Sequence, residues 1–177
     1  IYGYNEIEAS LPAMTLSVPD FNTERDIAVK IKNILAEQFN MNETDSYIWH
    51  DNDFLKQIQY NTTCSIELKN PVSSVNTLLR DSMLTTMLRF SLENLKFYDW
   101  FKLFDIGRIF PDNEEREALG LVIINEKSKN GDKNTFLEMK KIVNTLFYGV
   151  YTQLPDYSPS GDNSLLKPGM TANIQFR

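Results

Sequence analysis

The stretch from Asn70 to Phe110 decides the fold, and it reads NPVSSVNTLLRDSMLTTMLRFSLENLKFYDWFKLFDIGRIF. Pro71 keeps the residue before it extended and cannot continue a helix. A helical period then runs from about Asp81 to Leu95, and the segment from Lys102 to Phe110 has the pattern of a strand. The stretch therefore predicts a turn, an amphipathic helix and a strand, in that order.

The predicted helix has a broad apolar face. At about 100° per residue its large apolar side chains occupy an arc of roughly 200°, about twice the width that a surface helix needs. These side chains are Met83, Leu84, Met87, Leu88, Phe90, Leu92 and Leu95. Two interpretations stay open: the helix is buried within its own domain, or one edge of the arc also binds a partner.

The two edges of the arc differ in composition. The leucine edge consists of Leu84, Leu88, Leu92 and Leu95, and we expect it to face the domain's own core. The methionine edge, our candidate subunit interface, consists of Met83, Met87, Phe90 and Asn94. We expect it to be exposed, because Met suits adaptable contact surfaces. Asn94 either bonds nearby carbonyl groups at the helix end or fixes the register of the interface.

The order of these features resembles the core domain of the phenylalanyl-tRNA synthetase beta subunit. That family has an Asn-Pro turn, a Leu-Arg-x-Ser helix start, an Asn late in the helix and a Phe-Glu-Ile-Gly-Arg strand. The matching residues are Asn70, Pro71, Leu79, Arg80, Ser82, Leu84, Leu88, Asn94, Phe104, Ile106, Gly107, Arg108 and Phe110. Two positions depart from the pattern: Asp105 stands where the family usually has Glu, and Thr85 where it often has Pro.

The resemblance covers nearly all of the chain and implies its organisation. Residues 1–20 resemble a lead-in from the preceding domain, and residues 21–177 resemble the core, which we expect to be truncated at its C-terminus. The implied fold class is α+β: an antiparallel mixed sheet flanked by helices, as in class II aminoacyl-tRNA synthetases. We expect the helices mainly on one face. The strands are expected near 47–49, 64–68, 102–110, 118–124 and 171–176.

The composition excludes several classes of protein. The chain has 177 residues, 42% of them apolar, which suits one domain with a sizeable core. A net charge of −6 leaves no broad basic surface for nucleic acid. No apolar run approaches the roughly 20 residues of a membrane span. The single cysteine, Cys64, excludes an internal disulfide and fits the reducing cytoplasm.

Weak signals for chemistry have simpler explanations. His50 lies beside Asp51 and near Asp53, yet no second histidine completes a typical zinc set, so we expect solvated acids at a strand end. Cys64 is expected to be a small buried residue. The lysine-rich loop at 125–134 matches no phosphate-binding motif and is expected to be a hairpin tip. A turn is expected at Lys167-Pro168-Gly169.

The chemistry of class II synthetases is absent. Their second motif places an Arg next to a Phe, whereas Arg108 follows Phe104 by four positions, and no glycine-rich Glu-Arg run occurs. Such arginines stabilise charge at phosphorus and are hard to replace. We therefore expect no catalytic, cofactor-binding or metal-binding residue in this chain. The resemblance implies ATP and magnesium only for the whole enzyme.

The resemblance implies a structural module with partners. In that family the alpha subunit carries the chemistry in an α2β2 enzyme that charges tRNA(Phe), and the beta core packs against it. Arg80 is expected to be structural, held by Asp105 or by carbonyls of the Asn70 turn. The alternative is a stand-alone synthetase-like protein that binds an amino acid. Its pocket would be lined by Tyr47, Trp49, Arg80 and Arg108.

Overall fold

The computed structural model describes residues 3–15, 17–18, 20–125, 131–160, 165–166 and 171–176. Its helices are α1 (Thr23–Asn33), α2 (Asn52–Gln57), α3 (Met83–Asn94) and α4 (Gly131–Tyr151). Its strands are β1 (Asn42–Glu43), β2 (Trp100–Ile109), β3 (Arg116–Asn125), β4 (Asp156–Pro159) and β5 (Ala172–Gln175). A π-helical turn (Ile34–Gln38) extends α1, and Asn40 ends it with a φ of 50°.

The main sheet is mixed and has the order β1-β2-β3. The long strands β2 and β3 pair antiparallel over their whole length, from Trp100 with Asn125 to Ile109 with Arg116. The short strand β1 pairs parallel with the middle of β2. The predicted strand–turn–strand from 102 to 124 is therefore the centre of the domain.

Three of the five expected strands do not join this sheet. The segments near 47–49 and 64–68 make only single bridges, Trp49 with Leu79 and Glu67 with Leu78. The expected strand near 171–176 is β5, which pairs with β4 in a separate two-stranded sheet. The predicted single sheet is thus too large, because the segments near 47–49 and 64–68 pair with segment 77–80 instead of with the main sheet.

Helices cover both faces of the main sheet, so the expectation of one helical face is wrong. On β3, Leu119, Leu121 and Ile123 pack into a core with residues of the α1 turn and α4. The intervening Gly120 faces α3 instead. Successive strand residues point to opposite faces, so both faces become buried. This core consists of Ile34, Leu35, Phe39, Met41, Phe104, Ile123, Ile142 and Leu146.

Helix α3 is rotated relative to its prediction. Met83 and Met87 are only 5% and 3% exposed, whereas Leu92 is 48% exposed. A Cβ atom at Gly120 would lie 2.8 Å from Met87 Cγ, so the missing side chain at Gly120 makes room for the methionines. The expectation that the methionine edge is exposed and the leucine edge forms the core is therefore wrong for Met83, Met87 and Leu92. The other members of both edges are half-buried: Phe90, Asn94, Leu84, Leu88 and Leu95.

Two expectations fall wholly or partly outside the described residues: the turn at 167–169, and residues 126–130 of the loop at 125–134. Residues 131–134 of that expected hairpin tip are instead the start of α4. Within the described ranges, no helix combines the length and the apolar character that crossing a membrane requires.

Candidate functional site

Arg80 is the centre of the sequence motif and is fully buried. Its backbone N–H donates to Ile48 O (2.8 Å), and its carbonyl accepts from Phe110 N (2.7 Å). Its side chain donates from Nε to Arg108 O at 2.8 Å and from Nη1 to Ser46 Oγ at 2.5 Å. One residue thereby joins the start of α3, the end of β2 and segment 46–48.

The predicted carboxylate partner of Arg80 is confirmed as Asp105. Arg80 Nη1 lies 3.8 Å from Asp105 Oδ2, and both side chains are almost inaccessible. Ser46 Oγ donates to the same carboxylate oxygen. Burial raises the pKa of Asp105, and the Ser46 hydrogen bond and Arg80 oppose that rise. The carbonyl group that accepts from the Arg80 side chain is that of Arg108 rather than one of the Asn70 turn.

Gly107 lets the Arg80 side chain lie directly against β2. A Cβ atom at position 107 would stand 2.3 Å from Arg80 Nη2, well inside van der Waals contact. Nη2 is also buried and has no hydrogen-bond partner among the described residues. The glycine is therefore required by the guanidinium above it rather than by backbone conformation.

The remaining motif residues are peripheral. The Arg108 side chain is exposed and pairs with Glu115 at 3.2 Å, so its part in the motif is its backbone carbonyl. Asn70 is exposed and Pro71 is half-buried. They lie in the loop between segments 66–68 and 77–79, which Leu68 N closes by donating to Thr77 O at 2.8 Å.

A second buried network, missed from the sequence, surrounds Asp81. His50 Nε2 lies 2.9 Å from Asp81 Oδ1. Asp81 Oδ2 accepts from Thr63 N at 2.6 Å and from the Tyr60 hydroxyl at 3.2 Å. Burial alone would raise the pKa of Asp81, but the hydrogen bonds from His50 and Thr63 outweigh it and lower that pKa to about 2. Burial and the Asp81 charge raise the pKa of Tyr60 to about 12.

His50 is therefore buried and not at a solvated strand end as expected. Its sequence neighbours serve other roles: Asp51 caps α2 by accepting from Phe54 N at 3.1 Å, and Asp53 pairs with Lys56 at 3.2 Å. In the part of the chain that is described, no three His, Cys, Asp or Glu residues could together hold a metal. Cys64 is buried in a small apolar cluster, which confirms its predicted packing role.

Thr85, His50 and Asp81 have the residue types of a hydrolase triad, but their arrangement does not suit catalysis. Thr85 Oγ1 lies 3.4 Å from His50 Nδ1, a loose contact for a nucleophile and its base. The Thr85 side chain is also only 2% exposed, at the inner face of α3. Asp81 instead connects the start of α3 to two other segments, through His50 in segment 48–50 and through Tyr60 and Thr63 in segment 60–63.

The residues expected to line an amino-acid pocket do not converge. Tyr47 and Trp49 stack on each other at the wall of a cavity of about 360 Å³. Arg80 is buried outside that cavity, and Arg108 lies on a different surface, beside Glu115. Neither arginine therefore lines the cavity, although Ser46, which accepts from Arg80, belongs to its wall.

Asn94, the polar member of the candidate interface, bonds within its own helix. Its Nδ2 donates to Phe90 O at 2.9 Å, which is the simpler of the two expected roles. The backbone carbonyl of Asn94 also accepts from Phe97 N (2.9 Å) and Tyr98 N (3.0 Å). These bonds hold the turn that follows α3.

Comparison with known proteins adds a family to this geometry. Residues 7–177 match the family described as the phenylalanyl tRNA synthetase beta chain CLM domain. The chain is 24% identical over 168 residues to the phenylalanine–tRNA ligase beta subunit of Leptospira interrogans, covering 88% of this chain and 20% of that protein. It is 28% identical over 192 residues to the phenylalanine–tRNA ligase beta subunit of Fusobacterium nucleatum, and the match covers 99% of this chain and 23% of that protein. The chain thus spans about a fifth of the length of these relatives.

Solved structures show the same fold at low identity. The pyrrolysyl-tRNA synthetase of Desulfitobacterium hafniense matches with a TM-score of 0.58 and 12% identity, covering 78% of this chain and 51% of that one. A histidine–tRNA ligase subunit of Alicyclobacillus acidocaldarius matches with a TM-score of 0.55 and 14% identity, covering 81% and 42%. The fold is therefore that of class II synthetases, and the chain belongs to the family of phenylalanyl-tRNA synthetase beta chain CLM domains.

Proposed function

We propose that this chain is a non-catalytic core domain that supports the ATP-dependent charging of tRNA(Phe) by assembling with the catalytic alpha subunit. Family membership supports the assignment to a beta chain. In this proposal the alpha subunit binds ATP, magnesium and phenylalanine, and the α2β2 enzyme works in the cytoplasm. tRNA(Phe) is, in this proposal, a partner of the whole assembly.

The observation that carries the proposal is the burial of the motif's charged centre. Arg80 and Asp105 are inaccessible to any substrate, and the Arg80 side chain joins three segments of its own chain. A catalytic arginine must instead reach a phosphate group. The motif that marks the family therefore serves packing in this chain.

The alpha-subunit contact belongs, in this proposal, at the C-terminal end of α3. Phe97 is 78% exposed, and Tyr98, Trp100 and Leu92 are also exposed large apolar side chains. Aromatic side chains are enriched in the cores of protein interfaces, and an exposed apolar patch of this kind marks an interaction site. Asn94 lies at the border of this patch, so part of the interface expected from the sequence is kept.

Co-expression with the matching alpha subunit tests the assembly. A tagged chain should capture the alpha subunit, and Phe97→Asp should abolish capture because it buries a charge in an apolar contact. Tyr148→Asp is the matched control, since Tyr148 is also exposed but lies on α4. Failure of the unmodified chain to capture the alpha subunit, with circular dichroism confirming its fold, would refute the assembly role.

Calorimetry separates this function from that of a stand-alone amino-acid-binding protein. The isolated chain should give no heat of binding with ATP or with phenylalanine. Saturable micromolar binding of either one would favour the stand-alone protein.

A further inference from the structure

We propose that the cavity beside the N-terminal half of α3 binds a small organic amine in its cationic form. The cavity has a volume of about 360 Å³ and lies between segment 45–51, helix α2 and helix α3. That volume is within the range of small-molecule sites. The proposed ligand site borders the arginine network at Ser46, and none of the four residues of the subunit contact lines it.

Aromatic rings form much of the cavity wall. Tyr47 and Trp49 stack with ring centroids 4.4 Å apart and an interplanar angle of 9°. Phe54 of α2 and Phe90 of α3 complete the apolar lining. The faces of such rings attract ammonium groups, most strongly where water is partly excluded. The walls therefore favour a ligand that combines a cation with an apolar body.

The charged residues at the cavity determine which sign of charge a ligand should carry. Arg89 is the one arginine among the residues that line the cavity. It already pairs with Asp51 at 3.1 Å and with Glu93 at 3.0 Å. Asp45 adds a further, exposed carboxylate to the wall. The carboxylates outnumber the arginine, so the local field attracts cations and repels anions.

Three ligands of equal length test the chemistry directly on the 177-residue chain by calorimetry. Pentylamine is the cationic probe, 1-pentanol is the neutral probe and pentanoate is the anionic probe. Pentylamine should bind saturably and more weakly as salt is added, because partly exposed charges are screened. Pentanol and pentanoate should bind at least about tenfold more weakly. Equal binding of pentylamine and pentanol, or no saturation by pentylamine, would overturn the proposal.

Substitutions then place the amine in the cavity. Asp45→Asn should weaken pentylamine binding about threefold, as for a partly exposed ion pair, and Trp49→Leu should weaken it about tenfold. Glu67→Gln removes an exposed carboxylate that does not line the cavity and is the charge-matched control. Thermal melting verifies that each variant is folded. An equal loss in Asp45→Asn and Glu67→Gln would show that amines bind only the general acidity of the surface, and would refute the site.

Discussion

The guanidinium of Arg80 lies against the backbone of Gly107, so close that a methyl group at position 107 would stand 2.3 Å from Nη2. The same guanidinium donates to the carbonyl of the next residue, Arg108, at 2.8 Å. The Gly-Arg pair in the strand motif therefore belongs to the Arg80 site, although it is distant from Arg80 in sequence. The glycine supplies the space and the arginine supplies a carbonyl.

Gly107→Ala should destabilise the domain by about 3 kcal/mol, because overpacking would push Arg80 off its acceptors. Urea unfolding measures the change. Gly3→Ala is the matched control, since nothing lies within 4 Å of its added Cβ, and it should leave the stability unchanged. Equal stabilities of the two variants would show that Arg80 has freedom to move away.

Arg80→Ala should cost about 3 kcal/mol or more, because it leaves the buried Asp105 carboxylate without its cation. For a chain of this size that corresponds to a loss of roughly 6–12 °C in melting temperature. Arg108→Ala is the control: its side chain is exposed, and its carbonyl is kept, so the change should stay within about 0.5 kcal/mol. A larger loss of stability from Arg108→Ala than from Arg80→Ala would contradict the roles of these two arginines.

Asp81 should make the stability depend on acid pH. Its pKa is lowered from 3.8 to about 2 in the folded chain, so between these values the unfolded chain binds more protons. The free energy of unfolding should then fall as the pH drops from about 4 to about 2, by about 2 kcal/mol for this group.

Asp81→Asn tests this contribution by urea unfolding at several pH values. The stability difference between the unmodified chain and the variant should be largest above about pH 4 and should shrink towards pH 2. Asp53→Asn is the control, because that carboxylate is exposed and pairs only with Lys56 on the surface. A difference for Asp81→Asn that stays constant over this range would contradict the Asp81 assignment.

Met87→Ala tests the orientation of α3. Met87 is buried over Gly120, so its truncation should cost about 2–5 kcal/mol by opening a cavity. Leu92→Ala removes an exposed side chain of the same helix and should change the stability by about 0.5 kcal/mol or less. Thermal melting of both variants measures the two losses of stability. A larger loss from Leu92→Ala than from Met87→Ala would show that the leucine edge forms the core.

Much of the local structure could be predicted because it depends on neighbouring residues. Ser82 caps α3 through Leu84 N at 3.1 Å, and Asn40 adopts the left-handed conformation that ends the first helix. The strand over 102–110 and the pairing of Arg80 with Asp105 also follow from local pattern and from the rule that a buried charge needs a partner. The motif order was enough to indicate the family and the class II fold.

Only the tertiary structure decided which side of each element is buried. A helical wheel shows how wide the apolar arc of α3 is, but the choice between Met87 and Leu92 depends on Gly120, which belongs to another strand. His50 looked solvated beside Asp51, yet Asp81 reaches it from 31 positions away in sequence. Contacts of this kind are set by how separate segments pack, because a side chain's neighbours in space are not its neighbours in sequence.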